Sequence, residues 1–377
     1  MKLLAKLCSA ALALLVTHVA VAQNPDTYTL TVCGDGSTLE EATTNALREA
    51  VGQAYGVYVS SDTAILNDEI VRDEIGALAS GNILDYKQLA HTTTPQGGHM
   101  VTLQATVSIT NLTSFSKAKG SKVEFAGALF GANMRLIESA KKNERIVIDH
   151  FVKQVEIFLD NCGPFTTPKV LDSTPKKHSD DTYYIDLRVR DVQTDVPAKL
   201  FTMLYGFLES IALTDAEVEM YRQMDEDCYG VGCWLQRSYS YGSYGRNAHK
   251  RQYFYLRTDR INKLCDLLDS TKDMTTITAK DSEGKVIATY KEPYRRAYGG
   301  SNVLADGGSF QFPYFWEKEE DGQITTARFY HDTNSNGTHT SFSPPRGNGK
   351  SGLTMEQVSR IASIEMEHRL VYQKVSK

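Results

Sequence analysis

Tyr229, Trp234, Tyr239, Tyr241, Tyr244, Tyr253 and Tyr255 crowd into one short stretch, with Arg237, Arg246, Lys250 and Arg251 among them. Aromatic faces beside cations can stack on a sugar, a base or a peptide. Tyr229, Trp234, Tyr239, Tyr241, Tyr244 and Arg246 are therefore a candidate contact surface for a glycan or a protein partner. The same composition also suits a tyrosine-rich loop or hairpin packed on its own domain. Just before it, Cys228-Tyr-Gly-Val-Gly-Cys233 offers a short disulfide loop that two glycines make feasible. A zinc site would need a second ligand pair at matching spacing, and the sequence has none.

Asp332-Thr-Asn334-Ser-Asn336-Gly337 matches the first half of a calcium loop, but the twelfth position is Ser343 where a bidentate glutamate is required. Asn336-Gly337 is also a preferred pair for a tight hairpin turn, and Ile324–Tyr330 and Thr338–Phe342 on either side look extended. A hairpin is expected there, with calcium as the weaker reading. Gly34-Asp35-Gly36, between a strand and a helix, lacks the third glycine or the Gly-Lys-Ser/Thr ending of a phosphate loop, and Asp35 would repel phosphate. It reads as a plain turn. Glu365 and His368 have a metal-like spacing, but a strand there would send them to opposite faces. His150, on an amphipathic helix, reads as a structural histidine. No Gly-x-Ser-x-Gly, His-Glu-x-x-His or Cys-His nucleophile pattern occurs. The sequence assigns no catalytic residue, cofactor or metal ligand, although a glycosidase carboxylate pair would leave no local spacing.

Export is expected from the N-terminus. Lys2 and Lys6 precede the apolar run Leu7–Val16, and Ala20 and Ala22 frame a small-residue cleavage site, so residues 1–22 read as a signal peptide. Its removal lowers the net charge from −5 to −7, because both lysines go. An acidic chain argues against a nucleic-acid partner, which would be held by an excess of cations. No later apolar run is long enough to span a bilayer, so after cleavage the chain is expected to be non-transmembrane and extracytoplasmic, periplasmic or secreted. An oxidising compartment permits disulfides. Cys33, Cys162, Cys228, Cys233 and Cys265 remain, an odd number, with Cys33 and Cys265 expected as free, buried thiols.

The elements that would position these groups alternate between helical and extended periods. Tyr28, Leu30 and Val32 share one strand face. Ser37 and Thr38, with Glu40 and Glu41, start a helix that carries Leu39, Ala42, Ala46, Leu47, Ala50, Val51 and Ala54 on a small, smooth packing face and ends at Gly56. Val57–Ser60 reads as extended and Asp68–Leu78 as a short helix. Asn82–Ala90 and Met100–Ile109 form a hairpin through Pro95, Gly97 and Gly98, with Thr102, Gln104, Thr106 and Ser108 on its wet face. Lys122–Asp160 is helical, either one long helix with an exposed middle at Lys141–Arg145 or two in series. A strand at Tyr183–Val189, a helix from Pro197, a strand at Gln252–Arg257, a helix at Asp259–Leu268 and a hairpin turning at Asp281–Gly284 follow. Thr214/Glu217 and Thr354/Gln357 each mark a capped helix start, and the chain ends in a strand with Ile364, Met366, His368, Leu370 and Tyr372 on one face.

The order strand, Gly34-Asp35-Gly36, alanine-rich helix, Gly56-Val57-Tyr58-Val59, Gly81-Asn82-Ile83 and hairpin resembles the N-terminal domain of the flagellar assembly protein T family and related bacterial envelope lipoproteins. The resemblance covers about residues 25–115 and rests on packing residues. It implies an extracytoplasmic assembly module. The expected fold is α+β: a signal peptide (1–22), a two-layer N-terminal domain (23–118), a long helix with a strand–helix unit (119–225) and a tyrosine-rich α+β region with loops (226–377). The expected role is non-enzymatic, binding an envelope protein partner or a second copy. A glycan binder or glycan hydrolase is the alternative.

Overall fold

The computed structural model describes residues 26–58, 81–112, 129–178, 181–224, 227–236, 250–293, 315–320, 323–328, 338–346 and 350–375. Helices combine with several small antiparallel sheets, an α+β fold. Contacts gather the chain into two units that interleave along the sequence. The first takes Met1–Val147, Ser210–Cys228 and Tyr255–Thr258; the second takes Ile148–Glu209, Tyr229–Phe254 and Asp259–Lys377.

In the first unit, strands β1 (Thr27–Gly36), β2 (Ile83–Thr93) and β3 (His99–Ser108) form a sheet in the order β1-β3-β2, with helix α1 (Leu39–Tyr58) on one face. Alternation decides which side is dry. Leu30, Val32, Val101, Leu103, Ala105 and Val107 turn inward against Ala42, Ala46, Ala50, Val51 and Ala54, all fully or almost fully buried. The alanines make the helix face shallow, so helix and sheet backbones come close.

That closeness explains Gly34 and Gly36, which lie within β1 rather than in the expected turn. A Cβ on Gly34 would stand 2.3 Å from the Ala42 carbonyl oxygen and 2.6 Å from the Ala46 nitrogen. On Gly36 it would stand 2.4 Å from the Ala42 nitrogen. The two glycines are the space into which α1 begins. Thr38 caps that start, its Oγ1 accepting from Glu41 N (3.1 Å), while the Glu41 carboxylate accepts from Ser37 N (2.8 Å).

Gly56 does not end α1, which runs through it to Tyr58. One glycine costs a helix only about 1 kcal/mol, and the burial of Val51 and Ala54 just before it outweighs that. Residues 59 and 60 and the helix expected at 68–78 lie outside the described residues. The face of β3 read as wet is largely covered, with Thr102 and Ser108 buried. As the central strand, β3 has a neighbour on each side, and small hydroxyls tolerate enclosure.

Helix α2 (Leu129–Asn161) is continuous, which decides between the two readings of that segment. Its residues to Val147 belong to the first unit. There Ile137 joins Leu213, Val218 and Tyr221 in a second small core, Val218 and Tyr221 being carried by a later helix, Asp215–Gln223. That helix begins in the expected capping box of Thr214 and Glu217.

In the second unit, β4 (Thr166–Lys177), β5 (Tyr183–Gln193) and helix α3 (Val196–Ile211, its last two residues grouped with the first unit) come first. The nine-residue helix of the first-unit core is α4. Strands β6 (Tyr229–Gln236) and β7 (Lys250–Leu256), helix α5 (Asn262–Ser270), β8 (Lys272–Lys280), β9 (Val286–Pro293), β10 (Phe315–Glu320), β11 (Gln323–Arg328) and β12 (Thr338–Phe342) follow. Two-residue strands β13 (Pro345–Arg346) and β14 (Lys350–Ser351) pair within the expected loop Ser343–Gly352; α6 (Met355–Arg360) and β15 (Ser363–Val371) close the chain.

Sheets β12-β5-β4 and β15-β8-β9 share one core: Ile185, Leu187 and Val189 of β5, Phe342 of β12, and Ile277 and Ala279 of β8. They form a small sandwich. The stacked rings of Phe151 and Phe207, 3.8 Å apart at 6°, pack α2 against α3 elsewhere in this unit. The expected hairpin at Asn336-Gly337 is not formed by its flanking strands, because β11 pairs with β10 and β12 pairs with β5. β11 pairs with the strand just before it, and β12 with a strand far back along the chain.

Candidate functional site

Of the tyrosine-rich surface, Tyr229 is half-buried at the start of β6 and Trp234 lies on the same strand, which pairs with β10 and neighbours β7. Tyr239, Tyr241, Tyr244 and Arg246 lie outside the described residues, as do Asp332–Gly337. Cys228 is a half-buried thiol whose pKa burial pushes up, with Arg222 and Arg257 pulling the other way. The Cys233 side chain is outside the described residues. Cys265 is buried and Cys33 half-buried, both as thiols. His150 is buried on α2.

One deeply buried charge, Glu144, and its partner Arg257 escaped the sequence reading. Glu144 lies in the charged stretch Lys141–Arg145, yet its side chain is only 2% exposed. It sits seven residues after Ile137 and four before Ile148, on the helix face of those two buried residues, and that spacing was the available signal. Arg257 comes from the short segment that follows β7. Its Nη2 donates to Glu217 Oε1 (2.9 Å) and its Nη1 to the Ile211 carbonyl (2.9 Å), with Glu144 Oε2 at 3.4 Å. The backbone N of Arg257 donates to Glu144 Oε2 (3.0 Å), and Thr258 Oγ1 donates to Glu144 Oε1 (2.8 Å).

Glu217 thus serves two structures, because its other oxygen accepts from Thr214 N in the capping box. Burial pushes the Glu144 carboxyl above its ordinary range, against the opposing pull of Arg257 and Thr258. Tyr221, whose buried hydroxyl has no hydrogen-bond partner among the described residues, has its pKa pushed up to about 12, chiefly by burial. Enclosure makes this cluster a brace between α2, α4 and the 255–258 segment.

A second enclosed group lies in the sandwich. His368 Nδ1 stands 3.0 Å from Thr166 Oγ1, and its Nε2 stands 4.0 Å from Asp191 Oδ1. Hydroxyl, imidazole and carboxylate are the residue types of a nucleophilic relay. The His368 side chain is fully buried and Asp191 is 4% exposed, so a substrate cannot approach. Glu365 points the other way, pairing with Lys280.

Burial holds the His368 imidazole below its ordinary pKa, only partly offset by Asp191 and Thr166. The unfolded chain, with an ordinary value of about 6.5, takes up this proton first, so stability is full above that pH and falls as acidity increases through the folded value. Urea midpoints are therefore expected to drop between pH 7.5 and 5, and His368→Gln should flatten that drop. An unchanged slope in the variant would exclude His368 as its source.

The exposed candidates are sheet edges. On the outer edge of β1, the Thr31 carbonyl accepts from Asn143 Nδ2 of α2 (2.8 Å), and Thr31 Oγ1 donates to the Ser210 carbonyl (3.1 Å). That edge is covered. Edge strand β4 carries Pro168 and Pro175, which cannot donate to an added strand. Edge strand β2 has no proline in its eleven residues, and it exposes Leu84 and Tyr86 at 55% and 48%. Among the described residues, no helix is long and apolar enough to cross a membrane. Compared with family models, curated proteins and solved structures, the chain matches none.

Proposed function

We propose that this protein is an exported component of the bacterial cell envelope that works by binding a protein partner or a second copy of itself, with β2 as the docking strand. The observation that carries this reading is the difference between the two edges of the first sheet: β1 is held by α2 at Thr31, whereas β2 has no proline and carries the exposed Leu84 and Tyr86. Strand addition takes its affinity from main-chain hydrogen bonds and its selectivity from alternate side chains. The signal-like residues 1–22 and the resemblance of residues 25–115 to an envelope assembly module support the compartment and the role.

A photo-crosslinking amino acid placed at Tyr86 in living cells tests it. The expected result is a discrete protein adduct, lost when Leu84→Lys is added and absent when the probe sits at the exposed hairpin residue Glu283. Adducts to polysaccharide alone, or an intact polypeptide retaining residues 1–22 in the cytosol, would overturn the proposal.

A further inference from the structure

The hairpin of β2 and β3 holds two histidines whose imidazoles meet. His91 Nε2 lies 2.9 Å from His99 Nδ1, with ring planes 4° apart and centroids 5.2 Å apart. Since the centroid separation is essentially the N···N distance plus the two ring radii, the rings meet edge to edge. The two nitrogens face one another. His91 is exposed and His99 half-buried, so solvent and ions reach the pair.

The backbone around them is fixed. Thr94 N donates to the Gly98 carbonyl (2.8 Å), Gly97 N to the Thr94 carbonyl (2.9 Å) and Gly98 N to Thr94 Oγ1 (3.0 Å), and Gly97 takes the positive φ of 85° that closes the turn. His91 is opposite Val101 in the register and His99 is opposite Thr93, so the two histidines are diagonal neighbours on one face of the sheet.

We propose that His91 and His99 form a chelating site for a divalent transition-metal ion of tetragonal preference, Ni²⁺ or Cu²⁺, with water completing the coordination. An ion with bonds of about 2.0–2.1 Å holds two ligands at right angles about 2.9 Å apart, whereas a tetrahedral ion needs about 3.3 Å. In the present N–H···N contact the two nitrogens stand 2.9 Å apart and face one another, so the rings must turn before one ion can take both. Rotation about χ2, the soft torsion of histidine, is the movement that turns both lone pairs toward solvent. The proton that lies between the rings passes through solvent to the outer nitrogen of its own ring, leaving both imidazoles neutral.

Titration calorimetry of the full chain with NiCl₂ near neutral pH, in a non-coordinating buffer, tests the site. One high-affinity Ni²⁺ is expected, weakened about tenfold or more by either His91→Gln or His99→Gln and unaffected by His339→Gln, an exposed histidine elsewhere. Zn²⁺ should bind more weakly than Ni²⁺, and Mg²⁺ not at all. In the unmodified protein, the ring ¹⁵N resonances of His91 and His99 should move or broaden together as Ni²⁺ is added, a readout independent of how well the variants fold. No Ni²⁺ uptake, equal uptake by wild type and either single variant, or a response from one ring alone would overturn the proposal.

Discussion

Replacing Arg257 with methionine is expected to lower the unfolding free energy by about 3–5 kcal/mol, because it strands the Glu144 carboxylate in a dry interior. Glu144 would keep its bond from Thr258 and lose the guanidinium, while Glu217 would lose its partner on the side away from the capping box. Two elements would loosen together. The loss belongs to the unpaired charge, so it should be largely recovered in Glu144→Leu/Arg257→Met, where no ion is left buried. Urea denaturation of the single and double variants checks both halves. A single variant within about 0.5 kcal/mol of wild type, the range of ordinary surface substitutions, would mean that water reaches Glu144.

The second large effect is expected at Gly34. Alanine there places a methyl carbon 2.3 Å from the carbonyl oxygen of Ala42 and 3.0 Å from the Ala46 Cβ. Two of the three nearest atoms are helix backbone and cannot step aside. Helix α1 must lift from β1, opening the contact of Ala42, Ala46 and Ala50 with the sheet. The cost should reach about 3 kcal/mol or more, the upper end for overpacking. Gly206, inside α3, is the control, because a methyl carbon added there would meet nothing within 4 Å. Gly206→Ala should be neutral or should stabilise by about 0.5–1 kcal/mol, since alanine is the better helix former. Equal thermal midpoints for the two variants would refute the close-approach account.

These residues mark where local reading stops. The helix starts at Thr214 and Thr354 were legible because a capping box is a contact across three residues, and both are formed. The strands at Tyr183 and Ser363 were legible because burial on one face imposes a period. β4 was not, because an edge strand broken by Pro168 and Pro175 and bordered by lysines has no such period. The strands flanking Asn336-Gly337 were placed in one hairpin by local reading alone, whereas Thr338–Phe342 has its partner in β5.

The candidate sites divide in the same way. Sequence spacing drew attention to the aromatics after Cys228, to Asp332–Gly337 and to the Glu365/His368 pair. The groups that meet in the described fold are instead Glu144 with Arg257 and Glu217, Thr166 with His368 and Asp191, and His91 with His99. Only the last pair lies within one hairpin, eight residues apart. Glu144 and Arg257 are separated by 113 positions and Thr166 and His368 by 202.

The sequence by itself determined the α+β class, the alanine face of the first helix, the capped helix starts and the inward faces of β1 and β15, because each follows from interactions over a few residues or from a simple period. Only the tertiary structure decided that Gly34 and Gly36 make room for a helix, that a glutamate in a charged run is enclosed, and that β3 rather than β2 is the central strand of the first sheet. Those properties depend on which distant segment arrives alongside, and the energy that brings it there is spread over the whole apolar core rather than written into the residues that meet.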